Sequence, residues 1–212
     1  MSTLLNSIKN KNDQFIQEFI EKNNIKISTL GPAGTSSSVT AEYLVKELKK
    51  VNDKCKSEIV LQNNFDLVFH DLFEGKADYA LVPTAYEKVT DYFWCEQFYN
   101  VLNFIYCTPK YGVVSKMDFK VQDANVIKMA SCPAVENMIY YNDMGIRKEI
   151  QIEIVHAHST AEAVKFVCSG KADLGITNET SLNEHIGEGV KFISKLYQAE
   201  ILWALFGRRQ IV

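Results

Sequence analysis

The sequence predicts an α/β fold of two similar lobes with a central cleft, and an internal repeat carries most of that prediction. The tetrapeptide Gly-Lys-Ala-Asp occurs at 75–78 and again at 170–173. In both copies a small polar residue, Asn64 or Ser159, precedes a helical segment, a glycine ends it, and a short apolar run typical of a buried strand follows. A repeat of cap, helix, stop and strand indicates two units of the same build. Paired lobes usually bind a small molecule in the cleft between them.

The composition excludes several classes of function. The 212 residues are 47% hydrophobic, enough for a sizeable core. No apolar run approaches the roughly 18–20 residues that span a bilayer, and the N-terminus lacks the plan of a signal peptide, so we expect a cytoplasmic protein. A net charge of −3 with three arginines argues against nucleic-acid binding. The five cysteines lack Cys-x-x-Cys spacing and predict reduced thiols, with no zinc-ligand cluster and no metal.

The elements of the first lobe alternate in the manner of a parallel, helix-covered sheet. Ahead of them, residues 4–23 predict an amphipathic helix that packs on this lobe or on a partner subunit, which leaves a homodimer open. A glycine-rich turn follows the first strand and opens a helix. The predicted strands cover 25–30, 58–61 and 79–82, and a further helix covers 65–74.

The second lobe repeats this order. Its predicted strands are 126–130, 150–156 and 173–176, and its helices are one opened by Pro133, 160–169 and 180–184. The apolar run 99–108 is expected to cross between the lobes and a strand at 201–206 to return, which would make a hinge. The resulting division is an N-terminal helix at 1–24, lobe 1 at 25–105 plus 196–212, and lobe 2 at 106–195.

The segment Gly31-Pro32-Ala33-Gly34-Thr35-Ser36-Ser37 is suited to binding a carboxylate. Glycines let the backbone approach a ligand, and a helix start offers N–H groups with partial positive charge. The hydroxyls of Thr35, Ser36 and Ser37 add donors. No lysine follows at Walker spacing. The alternative is that Thr35 or Ser36 only caps the helix.

A similar helix start occurs in the second lobe at His156-Ala157-His158-Ser159-Thr160. Two such starts facing a cleft could hold a dicarboxylate with little help from arginine. Ser159 is either a ligand donor or a plain cap. The turn into the helix separates His156 from His158, and the pattern does not decide which of them meets the cleft.

Open α/β sheets bind ligands at the carboxyl ends of their strands. Pro83-Thr84-Ala85-Tyr86-Glu87 follows the third strand, and Thr177-Asn178-Glu179 holds the equivalent place in the second lobe. Tyr86 is either a wall of the site or a proton donor.

Three segments resemble the catalytic domain of prephenate dehydratases, whose fold is similar to that of type II periplasmic binding proteins. They are Gly31-Pro32-x-Gly34-Thr35-x-Ser37, the Gly-x-x-Asp-Tyr-Ala-x-Val-Pro run at 75–83, and Ser159-Thr160-Ala161-x-Ala163. Dehydratases, however, continue from Val-Pro with Ile-Glu-Asn-Ser, where this chain has 84–87. Their Thr-Arg-Phe, whose threonine is implicated in expelling the ring hydroxyl, is replaced by Ile201-Leu202-Trp203.

Where the chain departs from the dehydratases, it resembles instead the prephenate decarboxylases of the bacilysin-biosynthesis type. Val82-Pro83-x-Ala85-Tyr86, Leu174-x-Ile176-Thr177-Asn178-Glu179 and Trp203-x-Leu205-Phe206-Gly207 carry this closer similarity. It implies a cofactor-free carboxy-lyase that converts prephenate into a dihydro-4-hydroxyphenylpyruvate for antibiotic or non-proteinogenic amino acid biosynthesis. The alternatives are a dehydratase that forms phenylpyruvate and a non-catalytic module that binds a carboxylate metabolite.

The residues expected to act follow from these patterns. The ring diene must receive a proton, for which Tyr86 is the first choice and His158 the second, ahead of Glu179, His156, Glu87 and bulk water. The expected substrate-binding residues are Thr35, Ser36, Ser37, Thr84, Ala85, Ser159, Thr160, Thr177, Asn178, Ile201, Trp203 and Phe206.

Overall fold

The computed structural model describes residues 13–141, 146 and 149–209, and internal contacts divide them into two compact units. The first unit comprises 13–31, 37–107 and 200–209, and the second comprises 32–36 and 108–199 with the same gaps. The loop 32–36 thus groups with the second unit, whereas the sequence analysis assigned it to lobe 1. Across the described part of the chain, no helix has both the length and the apolar character needed to cross a membrane.

The first unit is a five-stranded sheet covered by helices, in the strand order β2-β1-β3-β10-β4. Strand β1 pairs in parallel with β2 and β3, and β10 pairs antiparallel with β3 and β4. The elements are α1 (13–20), β1 (Asn24–Leu30), α2 (Ser36–Val51), β2 (Lys56–Gln62), α3 (Phe65–Phe73), β3 (Tyr79–Pro83), α4 (Val89–Trp94), β4 (Phe98–Cys107) and β10 (Glu200–Arg208).

The predicted strands and helices of this unit are confirmed within a few residues, and two segments differ. The apolar run 99–108 is strand β4 at the sheet edge, because its backbone pairs with β10 along its length. Helix α4 was not predicted, since its six residues are too few to show a periodic pattern.

The described part of the N-terminal helix packs on the first unit. Phe15 and Phe19, four residues apart on one face of α1, are 2% and 0% exposed. The ring of Phe15 meets the ring of Tyr79 edge-on at 5.8 Å between centroids. Asn52 donates to the carbonyls of Phe19, Ile20 and Lys22 and so satisfies the end of the helix. The predicted helix residues 4–12 lie outside the described part of the chain.

The second unit has the same topology, with the strand order β7-β6-β8-β5-β9. Strand β6 is parallel to β7 and β8, and β5 is antiparallel to β8 and β9. Strands β5 and β9 were missed by the sequence analysis. The elements are β5 (Tyr111–Lys116), η1 (Val121–Asp123), β6 (Val126–Ser131), α5 (Pro133–Glu136), α6 (Met138–Tyr141), β7 (Gln151–His156), α7 (Thr160–Cys168), β8 (Leu174–Asn178), α8 (Glu179–Asn183), η2 (Ile186–Glu188) and β9 (Val190–Phe192).

The repeated tetrapeptide makes the same backbone contacts in both units. Asp78 N–H donates to the Lys26 carbonyl at 2.9 Å, and the Asp78 carboxylate accepts from Lys26 N–H at 2.7 Å. Asp173 exchanges the same two bonds with Lys128, each at 2.9 Å. These reciprocal bonds hold β1 beside β3 and β6 beside β8. The aspartate of the repeat therefore sets the register of the central parallel strands.

The helix caps and stops predicted from the repeat are also confirmed. The Asn64 side chain accepts from Leu67 N–H at the start of α3, and Ser159 accepts from Glu162 N–H at the start of α7. Beyond the helices, Gly75 and Gly170 have φ of 74° and 75°, the left-handed conformation that glycine adopts without a steric cost.

Substitution of Gly170 tests this turn without a packing change, because a Cβ there would meet no atom within 4 Å. We expect Gly170→Ala to destabilise the protein by about 1–2 kcal/mol through backbone strain alone. Gly187→Ala is the matched control, since its Cβ is equally unobstructed and its φ is not left-handed. Urea unfolding should show a lower midpoint for the first variant only. Equal midpoints would contradict the assigned turn.

Candidate active site

The loop 32–36 is held against helix α8 inside the second unit. The Ser181 hydroxyl, which is buried, donates to the Gly34 carbonyl at 3.1 Å. Gly34 has φ of +83°, and a Cβ at this position would come within 3.2 Å of the Glu184 carboxylate. The left-handed φ favours glycine at this turn, and a side chain there would also crowd Glu184. This contact fixes the position of Thr35 and Ser36.

Several residues expected to bind the substrate meet at one phenol. Tyr111, at the start of β5, is 8% exposed, and its hydroxyl is hydrogen-bonded to Ser36 Oγ. The side chains of Asn178 and Thr160 lie near the same hydroxyl and lower its pKa. Asn178 in turn donates from Nδ2 to Thr160 Oγ1 at 3.3 Å. The structure thus brings Ser36, Thr160 and Asn178 together around Tyr111.

The Tyr111 phenol is neutral at physiological pH. Burial raises the pKa of its hydroxyl, and the hydrogen bonds from Ser36 and Asn178 offset only part of that effect. A neutral phenol has one proton to donate and two lone pairs that accept. The group can therefore satisfy several partners at once.

The start of α7 forms a capping arrangement, and the residues around it are consequently well fixed. Ser159 Oγ accepts from Glu162 N–H at 3.1 Å, while Glu162 Oε2 accepts from His158 N–H at 2.7 Å. The sequence left two roles open for Ser159, and in the structure its side chain caps helix α7. The side chain of His158 is exposed.

The other ionisable residues at the carboxyl ends of the second sheet already have partners. His156, whose side chain is 73% exposed, lies 3.8 Å from the Glu136 carboxylate. Glu179 exchanges two bonds with Lys110: its N–H donates to the Lys110 carbonyl at 2.8 Å, and its carboxylate accepts from Lys110 N–H at 3.1 Å. Glu179 therefore holds β8 against the chain that leads into β5.

Thr177 is fully buried and joins β8 to α7. Its hydroxyl donates to the Thr160 carbonyl at 2.8 Å, and its side chain is 0% exposed. This contact supports Thr160 from behind. In the present structure Thr177 is thus a support of the site, and it offers no exposed surface to a ligand.

In the first unit, the carboxyl end of β3 is tied to β10. Thr84 donates to the Leu202 carbonyl from both its N–H and its hydroxyl, each at 2.9 Å. Ala85, which follows, is exposed. Ser37 in the first turn of α2 is 4% exposed. These residues lie at the edge of the sheet where open α/β folds bind ligands.

Tyr86 lies at this same edge and packs its ring on Phe65, with 4.5 Å between centroids. Partial burial raises the pKa of its hydroxyl to about 12, and the nearby carboxylates of Asp66 and Glu87 add to that shift. The phenol is a weak acid, and it keeps its proton over the whole physiological range.

The three apolar residues of β10 expected at the substrate do not share a face. Ile201 and Trp203 belong to the cluster packed against α1 and α2, whereas Phe206 packs on the opposite face with its ring 5.2 Å from that of Tyr92. Phe206 is 0% exposed and is a core residue. Side chains alternate along a strand, so Trp203 and Phe206 lie on opposite faces of β10. Among the described residues, the buried Trp203 Nε1–H has no hydrogen-bond partner.

One group of side chains could hold a metal, although sequence spacing did not indicate it. The ligand atoms of Cys168, His185 and Glu188 lie within 4.8 Å of one another. In the structure they interact directly: His185 Nδ1 is 2.5 Å from Glu188 Oε1. Burial, and then the hydrogen bond to Glu188, raises the pKa of the Cys168 thiol to about 11, so the thiolate that metals prefer is scarce.

Tyr111 is the residue that sequence reasoning missed. It stands just before Gly112 in a short run, Val113-Val114, which the sequence analysis did not recognise as strand β5. A Cβ at position 112 would come within 2.7 Å of the Leu196 side chain, so the glycine marks close packing. A tyrosine beside such a glycine was the available signal, but it does not identify the partners of the hydroxyl.

Solved structures that share this fold include an enzyme and a periplasmic domain. Prephenate dehydratase from Arthrobacter aurescens, in complex with L-Phe, has a TM-score of 0.60 and 14% identity over 89% of this chain and 61% of its own. The periplasmic VFT2 domain of Bordetella pertussis BvgS has a TM-score of 0.59 and 16% identity over 92% of this chain and 85% of its own. At such identities the likeness concerns the fold alone. It defines an α/β protein of the class shared by periplasmic binding proteins and prephenate dehydratase.

Sequence comparison gives the family within that class. A prephenate decarboxylase from Bacillus amyloliquefaciens is 30% identical over 193 residues, 88% of each chain. One from Planktothrix agardhii is 30% identical over 88% of this chain and 89% of its own, and one from Bacillus subtilis is 27% identical over 88% of each. No family model matches the chain. The chain belongs to the prephenate decarboxylase family.

Proposed function

We propose that this protein decarboxylates prephenate and leaves the ring hydroxyl in place, acting in the cytoplasm. The observation that carries the proposal is the replacement of the dehydratase Thr-Arg-Phe by Ile201-Leu202-Trp203 in a chain 30% identical to prephenate decarboxylases. The product is then a dihydro-4-hydroxyphenylpyruvate, a suitable intermediate for an antibiotic or a non-proteinogenic amino acid.

The arrangement around Tyr111 supports the binding of a dicarboxylate. Ser36 and Thr160, from two different helix starts, both lie beside the Tyr111 hydroxyl, so their polar groups lie close together. Prephenate carries both of its carboxylates at one ring carbon, one directly and one at the end of the pyruvyl side chain. We assign one carboxylate to Thr35, Ser36 and Ser37, and the other to the α7 start at Ser159 and Thr160.

The proposed reaction moves one electron pair and one proton. The bond between the ring carbon and its carboxylate breaks, carbon dioxide leaves, and the electron pair shifts through a ring double bond. A ring carbon at the far end of that system takes a proton. Removal of water from the carboxylate favours this step, because the charge is lost as neutral carbon dioxide forms.

Retention of the hydroxyl requires that no acid protonate it. If the hydroxyl left as water together with carbon dioxide, an aromatic ring would form, which is strongly favourable. The aliphatic side chain of Ile201, at the carboxyl edge of the first sheet beside Leu202 and Thr84, has no proton to give. We therefore assign it the place where a dehydratase has its acid.

The first test is the product itself. Purified protein incubated with prephenate at neutral or mildly alkaline pH should release carbon dioxide and form a product that proton NMR shows to be non-aromatic. Enzymatic formation of phenylpyruvate would instead establish a dehydratase. Saturable binding of prephenate without any turnover would establish a binding module, the function of many proteins with this fold.

The second test restores an acid. Ile201→Thr supplies a hydroxyl, and Ile201→Val, which has the same shape as threonine, is its control. Because a general acid contributes roughly 100-fold or more, the threonine variant should form phenylpyruvate measurably faster than the valine variant. Chromatography of both products gives the ratio. The same product ratio in both variants would contradict the assignment of Ile201 to the place of the dehydratase acid.

The third test concerns the proton donor, for which Tyr86 remains the first candidate and His158 the second. Tyr86→Phe should lower kcat by about 100-fold with little change in prephenate binding. A proton donor must be protonated to act. Because the pKa of the Tyr86 hydroxyl is raised to about 12, the wild-type kcat should not fall through loss of this proton until the pH nears that value.

Tyr106→Phe is the control for Tyr86→Phe, since Tyr106 stacks on Tyr43 in the same unit, 4.1 Å between ring centroids. Near-normal turnover of Tyr86→Phe with unchanged product stereochemistry would leave Tyr86 as a wall. His158→Gln would then be the next variant to measure.

A further inference from the structure

We infer that Cys168, His185 and Glu188 form a zinc-binding site on the second unit. Each side chain contributes one atom, a thiol sulfur, an imidazole nitrogen or a carboxylate oxygen, and these atoms all lie within 4.8 Å of one another. The site joins the end of helix α7 to the turn η2, which leads into strand β9. It is independent of the proposed reaction, because Cys168 lies about 12 Å along the axis of α7 from Thr160, where that helix begins.

The turn η2 brings His185 and Glu188 together. His185 is the N-cap of the turn, and Glu188 is its last residue, three positions later. The Glu188 N–H donates to the His185 carbonyl at 2.9 Å, and the His185 N–H donates to the Leu182 carbonyl at 2.8 Å. Side chains three residues apart in a 3₁₀-helix lie one above the other. The backbone therefore sets the imidazole beside the carboxylate, with 2.5 Å between Nδ1 and Oε1.

Cys168 reaches this pair from the last turn of α7. Its side chain is half-buried and packs against an apolar cluster that includes Val167 and Leu182. Leu182 lies in α8, three residues before His185, so the same packing positions the thiol relative to the imidazole. The side chain of His185 is 13% exposed and that of Glu188 is 52% exposed. Two of the three donors are thus held by the fold, and the third leaves the site open to an ion and to water.

The three donors suit zinc better than the common hard cations. Zn²⁺ binds thiolate sulfur, imidazole nitrogen and carboxylate oxygen, whereas Ca²⁺ and Mg²⁺ bind oxygen ligands. A thiolate and a carboxylate together cancel the two positive charges of the ion, so the loaded site has no net charge. This neutrality lowers the cost of a metal at a half-buried position. Three protein ligands with water in the fourth position form a tetrahedral arrangement that occurs in zinc proteins.

The side chains need only a small movement to accept the ion. With metal–ligand bonds of about 2.0–2.3 Å, the donor atoms of a tetrahedral zinc site lie about 3.4–3.6 Å apart. Rotation of the exposed Glu188 side chain opens its 2.5 Å contact with His185 to this separation. The Cys168 thiol, whose pKa is raised to about 11 chiefly by burial, gives up its proton to solvent on binding, because a coordinating thiol is deprotonated.

The first measurement is a titration with Co²⁺, which reports zinc sites by its colour. Protein freed of metal by a chelator and kept reduced is titrated while its near-ultraviolet absorption is recorded. We expect one equivalent of Co²⁺ to produce the charge-transfer band of a thiolate–cobalt bond, and added Zn²⁺ to remove the band by competition. Absorption is preferred to a thermal shift, because an unfolded chain with five cysteines also binds zinc.

Variants of the three ligands identify the site. Cys168→Ser should abolish the band, since a serine hydroxyl is not a thiolate. His185→Gln and Glu188→Gln should each weaken zinc binding at least as much as the loss of an outer-shell partner, which costs about 10–100-fold. Cys95→Ser is the matched control, because Cys95 is likewise partly buried but lies outside the cluster, and it should leave both the band and the affinity unchanged.

Three results would overturn the inference. They are a wild-type protein without the thiolate band, a band that survives in Cys168→Ser, and an unchanged zinc affinity in Glu188→Gln. The first would leave His185 and Glu188 as an ion pair beside a thiol. If Cys168→Ser fails to fold, Glu188→Gln carries the test, since that side chain is exposed and its removal leaves the apolar packing intact. Each of these results leaves the proposed turnover of prephenate unaffected.

Discussion

The architecture of both units depends on how their two central parallel strands are held in register. Each unit places an aspartate at the start of one central strand, and this residue exchanges two hydrogen bonds with the backbone of a lysine in the neighbouring strand: Asp78 with Lys26, and Asp173 with Lys128. Parallel strands have no hairpin turn to fix their pairing, so a side-chain anchor at the amino end is useful. With that end fixed, the opposite ends of the strands and the helix starts that follow them occupy defined positions.

Burying the polar side chains around Tyr111 would destabilise the protein if they lacked hydrogen-bond partners. This explains why they bond to the surrounding helices and loops. Buried hydroxyls and amides destabilise a protein unless each finds a partner. Asn178 meets this requirement by capping α8, Thr177 by bonding Thr160, and Ser181 by bonding Gly34. A site supported in this way is rigid because every change of one side chain leaves another polar group unsatisfied. Such preorganisation is consistent with the proposed binding of a dicarboxylate by a chain with few arginines.

Strand β10 carries the residues that distinguish the proposed decarboxylase chemistry from that of a dehydratase. The dehydratase and decarboxylase reactions share a substrate and the loss of carbon dioxide, and they differ in whether a proton reaches the ring hydroxyl. Strand β10 pairs with β3 in the register that sets Trp203 opposite Pro83, which brings residues 201 and 202 to the carboxyl edge of the first sheet. In our proposal, a change from threonine to isoleucine at that edge alters the available chemistry without altering the sheet. A binding-protein scaffold can in this way support different reactions.

The sequence by itself determined the α/β class, the repeat, the caps at Asn64 and Ser159 and the glycine stops, because these depend on residues a few positions apart. It also indicated Thr35, Ser36, Thr160 and Asn178 as candidates, since strand ends and helix starts are local features. Only the tertiary structure decided that Ser36, Thr160 and Asn178 meet at Tyr111, because that contact joins segments up to 142 residues apart, from position 36 to position 178. It likewise placed Phe206 on the opposite face of β10 from Trp203 and brought Cys168 to His185 and Glu188. Side-chain partners of this kind follow from strand pairing and packing, which the order of residues does not reveal.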